Sequence, residues 1–206
     1  MSNNLRGLLT LAKREVMRFM AVAQQTIFPP VVTSALFLFI FGLSVGSKIK
    51  DIGVGYTYLE FIIPGVMTLH LISGSFENTS SSLFISRWHN HIQEILLSPL
   101  SYLEMVLGLL AGGVVRGLMV FAGVFIVSMF FQPVGIAHPV WLAFFTVTTS
   151  VIFSCFGMIA ALWANNFSML SIWNIYIITP MTFLGGVFNP IQMLPDPLQK
   201  AALFNP

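Results

Sequence analysis

Residues 117–195 contain no Lys, Arg, Asp or Glu. A water-soluble domain needs charge on its surface to stay solvated and unassociated. A helical bilayer crossing takes about 20 residues, so this run is long enough for more than one. Lipid is therefore the expected solvent for this half of the chain. The whole composition agrees: 56% of the 206 residues are hydrophobic and 8% are charged, against about 25% charged in a typical soluble domain. The apolar runs are long and unbroken, as in 31–41 and 140–145, whereas transmembrane strands alternate apolar and polar residues over about 10 positions. The expected fold is an all-α polytopic membrane protein.

The remaining bulk properties exclude more than they identify. A net charge of +2 is too small for a nucleic-acid-binding surface, and no nucleic-acid partner is expected. Cys155 is the single cysteine and lies in an apolar run, so no intrachain disulfide forms. The N-terminus lacks the short apolar core and cleavage site of a secretory signal.

Leu5, Leu8, Leu9, Ala12, Val16, Phe19 and Met20 recur at helical spacing, with Arg6, Lys13, Arg14, Glu15 and Arg18 on the rest of the surface. Residues 1–23 thus predict an amphipathic interfacial helix with its basic face toward lipid headgroups; an ordinary juxtamembrane flank is the alternative. Five spans are expected after it, at about 27–46, 58–80, 102–131, 140–164 and 168–188. Trp141 and Trp163 frame the fourth; 22 residues of helix is about 33 Å, close to bilayer thickness, and indoles favour the two interfaces. Pro180 predicts a kink in the fifth. Residues 189–206 carry Pro190, Pro195, Pro197 and Pro206, which forbids one continuous helix and predicts short broken ones. Arg6, Lys13, Arg14, Arg18 and Arg87 fall on the side of the N-terminus, and Lys48, Lys50 and Lys200 on the other. That bias places the N-terminus in the cytoplasm.

Few residues invite a chemical reading. Between the second and third spans, Phe84, Trp88, Ile92, Ile95 and Leu96 share a helical face, with Arg87, Asn90, His91 and Glu94 off it. This predicts a short cytoplasmic helix over about 83–97, ended by Ser98-Pro99, which either docks on a partner or lies on the membrane surface. His89 and His91 point about 200° apart on a helix, so they do not share a metal ion. Arg116 is the charge best placed inside a span. It either pairs with Glu77 on the preceding antiparallel span or snorkels to the headgroups. Gly108 with Gly112, Gly113 with Gly117, and Gly42 with Gly46 are small residues four apart that allow close helix approach. His70 is expected to be hydrogen-bonded within the bundle. No GxSxG, HExxH or phosphate-loop motif is present, so the chain is not expected to be an enzyme or to hydrolyse ATP.

Several short segments, in order along nearly the whole chain, resemble the permease subunits of type-2 ABC transporters. They are Phe28-Pro29-Pro30, Ile40-Phe41-Gly42, the FIIPG of residues 61–65, the EILLSP of 94–99, the GGVVRG of 112–117, Thr179-Pro180, the FLGGVF of 183–188, Leu194-Pro195 and Asn205-Pro206. The resemblance implies a transmembrane domain over 24–206 and a permease that forms an export path in a bacterial inner membrane. It implies a second permease copy, as in a homodimer, and a separate cytoplasmic ABC ATPase subunit that uses the ATP, with no cofactor bound by this chain. It makes the 83–97 helix the coupling helix, with Arg87, Trp88, Glu94 and Pro99 the residues expected at the ATPase. The family has six spans, so a chain with five that stops at Pro206 looks truncated. The alternative function is a stand-alone channel or ion-coupled carrier. A proton-coupled carrier would usually show several buried acids, and the fourth and fifth spans have none.

Overall fold

The computed structural model describes residues 2–44, 57–133, 135–187, 195–203 and 205. All regular structure among them is helical: α1 (Ser2–Met20), α2 (Ala23–Thr26), α3 (Phe28–Ser44), α4 (Tyr58–Trp88), α5 (Ile92–Leu96), α6 (Tyr102–Ser128), α7 (Pro139–Trp163), α8 (Phe167–Trp173), a π-helical turn (Asn174–Ile178), α9 (Thr179–Leu184) and α10 (Asp196–Ala202). Five stretches are long and apolar enough to cross a bilayer: Ala23–Gly42, Tyr58–Trp88, Tyr102–Ser128, Pro139–Trp163 and Phe167–Leu184. Lys48, Lys50, Gly46 and the Pro190 region lie outside the described residues.

The core runs along α4, which packs against both α6 and α7. At one end Ile62, Ile63, Val66 and Met67 meet Leu38 of α3 and Val120 and Val124 of α6. Midway Ile72 and Phe76 meet Phe153 and Ala160 of α7. At the other end Leu83 and Phe84 meet Leu109, Ala161 and Ala164. The two glycine pairs of α6 face different neighbours. A Cβ on Gly108 or Gly112 would run into Leu11 or Glu15 of α1, and one on Gly113 or Gly117 into the side chains of Thr79, Ser154 or Ser75. One helix thereby approaches α1 on one side and α4 with α7 on another.

Two expected elements differ. The second span and the coupling helix are not separated near residue 80. α4 runs 31 residues to Trp88, about 46 Å, which exceeds the hydrocarbon thickness by about half. The predicted 83–97 helix is instead the last turn and a half of α4, a break, and the five-residue α5. Asn90 makes the break by taking a positive φ of 60°, a conformation that asparagine tolerates better than most residues. In the fifth span the kink expected at Pro180 takes the form of the π turn. The Thr179 amide bonds to the Asn174 carbonyl five residues back. The wider turn makes room ahead of a proline that lacks an N–H and whose ring crowds the preceding turn.

Beyond the fifth span the described part of the proline-rich segment is the short α10. Asn205 folds back from it to donate 2.6 Å to the Met181 carbonyl.

Candidate functional site

Most of the polar chemistry among the described residues gathers at one end of the bundle, where α1, the end of α4, α5, the start of α6 and the α7–α8 turn meet; Thr57, Glu60 and Gln132 form a smaller cluster at the other. The larger gathering has two layers: a buried polar network between helices, and an end face exposed beyond it.

The network begins with an uninterrupted polar stretch of α4, Glu77 to Ser82, most of which is buried. Buried polar groups are costly unless paired: Thr79, Ser80 and Ser81 bond carbonyls of α4 itself, whereas Glu77, Asn78 and Ser82 are paired across helices. Glu15 of α1 is fully buried. Its Oε2 accepts from Ser82 Oγ at 2.5 Å and from Arg18 Nε at 3.3 Å. Arg18 in turn donates to the Asn78 carbonyl and side-chain oxygens, both at 3.0 Å. Glu15 and Arg18 thus fasten α1 to α4, while Leu11 packs with Ile95 and Met105.

The second half of the network centres on Glu77. Arg116, buried on α6, places its guanidinium 3.2 Å from Glu77 Oε2. Of the two readings of Arg116, this is the ion pair. The same guanidinium donates to the Thr26 carbonyl at 3.5 Å. The other Glu77 oxygen accepts from Asn174 Nδ2 at 3.1 Å. One carboxylate therefore joins α4, α6 and the π turn of the fifth span. Deeper in the bundle, Ser75 and Ser150 hydroxyls lie 2.7 Å apart, bridging α4 and α7.

On the end face, Trp88 is 58% exposed. It lies against Phe84 and Phe167, with ring centres 5.8 and 6.1 Å away. Glu94 and Pro99 are exposed as well. Arg87 behaves differently from its neighbours. Its guanidinium donates to the Leu162 carbonyl at 2.8 Å and also to those of Ala161 and Ala164. These are orphan carbonyls at the C-terminus of α7, where a cation is favoured. Arg87 therefore fixes α7 to the end of α4 rather than projecting from the face.

A groove of about 380 Å³ runs between α1 and the α5 loop, lined by Thr10, Leu11, Arg14, Glu94, Ile95 and Pro99. Its floor is apolar, and Arg14 and Glu94 stand on its walls. The start of α6 is held beside it by a capping box, in which Ser101 and Glu104 bond each other's backbone amides and side chains. Among the described residues no three His, Cys, Asp or Glu side chains converge as a metal site.

The sequence reading reached Glu77, Arg116, Arg87, Trp88, Glu94 and Pro99, and missed Glu15, Arg18, Asn78, Ser82 and Asn174. It set Glu15 among the solvated charges of α1. The packed face of α1 is instead the line Leu11, Glu15, Phe19, rotated by about a quarter turn from the most apolar face. Leu5 and Leu9 remain 58% and 59% exposed. The signal that was available is the i, i+4 spacing of Glu15 between Leu11 and Phe19.

Comparison with known proteins follows this geometry. Residues 6–206 match the family model described as ABC-2 type transporter. The chain is 36% identical over 200 residues to the inner membrane transport permease YadH of Escherichia coli K12, covering 97% of this chain and 78% of that protein. It is 23% identical over 204 residues to nodulation protein J of Rhizobium leguminosarum bv. viciae, covering 96% and 76%. No solved structure matches it significantly.

Proposed function

The chain belongs to the ABC-2 type transporter family, and from that premise we propose that it is the permease subunit of an ATP-driven exporter, a multi-pass protein of the bacterial inner membrane. In this reading a separate ABC ATPase uses the ATP, a second permease copy completes the path, and the N-terminus is cytoplasmic.

The observation that carries the proposal is the arrangement at the network end of the bundle. Glu94 and Pro99 line the groove between α1 and α5, Trp88 is exposed at the end of α4 against Phe167, and α1 carries Glu15 and Arg18 of the buried network. An ATPase seated there would grip α1 through Arg14 and the α5 loop through Glu94. Displacement of α1 would pull on Asn78 and Ser82 of α4 through Glu15 and Arg18. Displacement of α4 would reach α6 and the fifth span through Glu77. Arg87 serves the same purpose indirectly, by making α7 move with the end of α4. Coupling between distant sites travels through contiguous paired groups of this kind when they switch between discrete arrangements.

Orientation is supported by the placement of Arg6, Lys13, Arg14, Arg18 and Arg87 at this end, in keeping with the excess of basic residues in cytoplasmic flanks. The open apolar strip of α1, Leu5 and Leu9, suits a helix that rests in the headgroup region while packing on α6. Co-purification of the ATPase with the tagged permease, compared between wild type and Glu94→Lys, tests the assignment of the face. Loss of the ATPase from a variant that still inserts in the membrane is the expected result. Equal recovery would move the docking face elsewhere.

A further inference from the structure

At the end of the bundle away from α1, a cavity of about 500 Å³ lies between α4, α6, α7 and residues 135–138. Its walls are chiefly Met67, Leu71, Phe121, Phe125, Leu142 and Phe145, and no charged side chain lines it. Two of the three hydroxyls that line it are committed elsewhere. Thr68 donates to the Pro64 carbonyl at 2.9 Å, and Thr146 to the Leu142 carbonyl at 2.8 Å. Each serves its own helix, so apart from Thr149 on the wall and His138 at the loop the cavity offers a guest chiefly hydrocarbon contact.

The surroundings of the cavity identify its medium. Trp141 and Phe145 form part of its wall and are each 60% exposed, and the adjacent Phe144 is 56% exposed. They lie on a helix long and apolar enough to cross the membrane, whose ends carry Trp141 and Trp163. Tryptophans so placed mark the two interfaces. The cavity therefore starts at headgroup level beside Trp141 and extends inward among apolar walls. Its size falls in the ordinary range for ligand pockets. Water inside would find few partners, whereas hydrocarbon from the adjoining leaflet would find close contact throughout.

We propose that this cavity is a lipid site, holding one acyl chain of a bilayer phospholipid between α4, α6 and α7 with the headgroup near Trp141 and His138. The site is separate from the network end of the molecule and does not depend on the transport reading. A chain seated there would touch three spans at once.

The test uses the protein in nanodiscs of phosphatidylethanolamine and phosphatidylglycerol, with a photoreactive amino acid at Phe121 in the cavity or at Phe144 on the outer surface. Samples are irradiated before and after extensive detergent exchange, and intact mass is measured. Lipid adducts are expected at both positions before exchange. After it, the Phe121 probe should retain severalfold more lipid than the Phe144 probe. Equal loss at both positions would overturn the proposal, as would cross-linking of the Phe121 probe to polypeptide, whether another segment or a second copy. The same probe at Ile136, an exposed position on the cavity, guards against a Phe121 variant that does not fold. Thr149→Leu, which narrows the cavity, should cut retained lipid at the Ile136 probe at least twofold without changing expression; unchanged retention would also overturn it.

Discussion

Arg116 and Glu77 form an ion pair at 3.2 Å, and the carboxylate that receives Arg116 also receives Asn174 of the fifth span. Three spans thus meet at one side chain. The two partners are unequal: the Arg116 side chain is 9% exposed and that of Glu77 is 45% exposed. Losing Glu77 strands a buried cation, whereas losing Arg116 leaves a carboxylate that water can still reach.

Glu77→Gln should therefore lower thermal stability in detergent more than Arg116→Met does. The double variant should recover part of the difference, with a coupling of about 1–2 kcal/mol, since the half-exposed carboxylate screens the pair. Additive losses in the double-mutant cycle would remove the pair from the account.

The Glu15–Ser82 and Arg18–Asn78 bonds predict that α1 detaches as a unit. Glu15→Leu or Arg18→Ala should raise hydrogen exchange across residues 4–19 and expose α1 to protease, while exchange in α4 and α7 stays slow. Unchanged protection of α1 would mean that its apolar packing alone holds it.

The two glycine pairs of α6 predict separable effects. Gly113→Leu drives a side chain into Thr79 and Ser154 and should cost about 1–3 kcal/mol or abolish folding. Gly108→Leu presses on the Leu11 side chain of α1 from its tip to its Cβ, and should push α1 away with less change in the melting temperature of the bundle. Equal melting losses would contradict the separate roles.

Much of this architecture could be read from residue order. Charge-free runs located the spans because lipid tolerates little else, and Trp141 and Trp163 framed α7 within two residues of its ends. Arg116 and Glu77 were legible because few charges occur inside spans and antiparallel spans bring such positions level. Glu15 was marked only by its spacing between Leu11 and Phe19, because its burial is set by the neighbours it meets, Gly112 and Ser82, and not by its own helix. Asn90 hid a helix break inside a continuous amphipathic pattern, since apolar periodicity does not register a single left-handed residue. The π turn at Asn174 was foreshadowed by Pro180 only as a kink.

Arg87→Ala should fray the last turn of α7, raising exchange at residues 160–164, and should cost about 1–2 kcal/mol through the lost carbonyl partners. A weakened ATPase interaction in this variant would then accompany the local fraying. Arg87→Lys, which keeps a cation on a shorter side chain than the one whose Nη1 reaches all three carbonyls, should restore only part of the protection. Full restoration by Lys would mean that charge alone, through the helix dipole, holds α7.

The central claim is that the α1–α5 face receives an ATPase whose work the buried network transmits. The most direct measurement compares ATPase binding and stimulated ATP hydrolysis for the permease in nanodiscs, using wild type, Trp88→Ala with Glu94→Lys, and Glu15→Leu. The account predicts that the face variant loses ATPase binding, whereas Glu15→Leu keeps at least part of the binding but loses stimulation of hydrolysis. An ATPase that binds and is stimulated equally by all three, or one that never binds the stably inserted wild type, would contradict it.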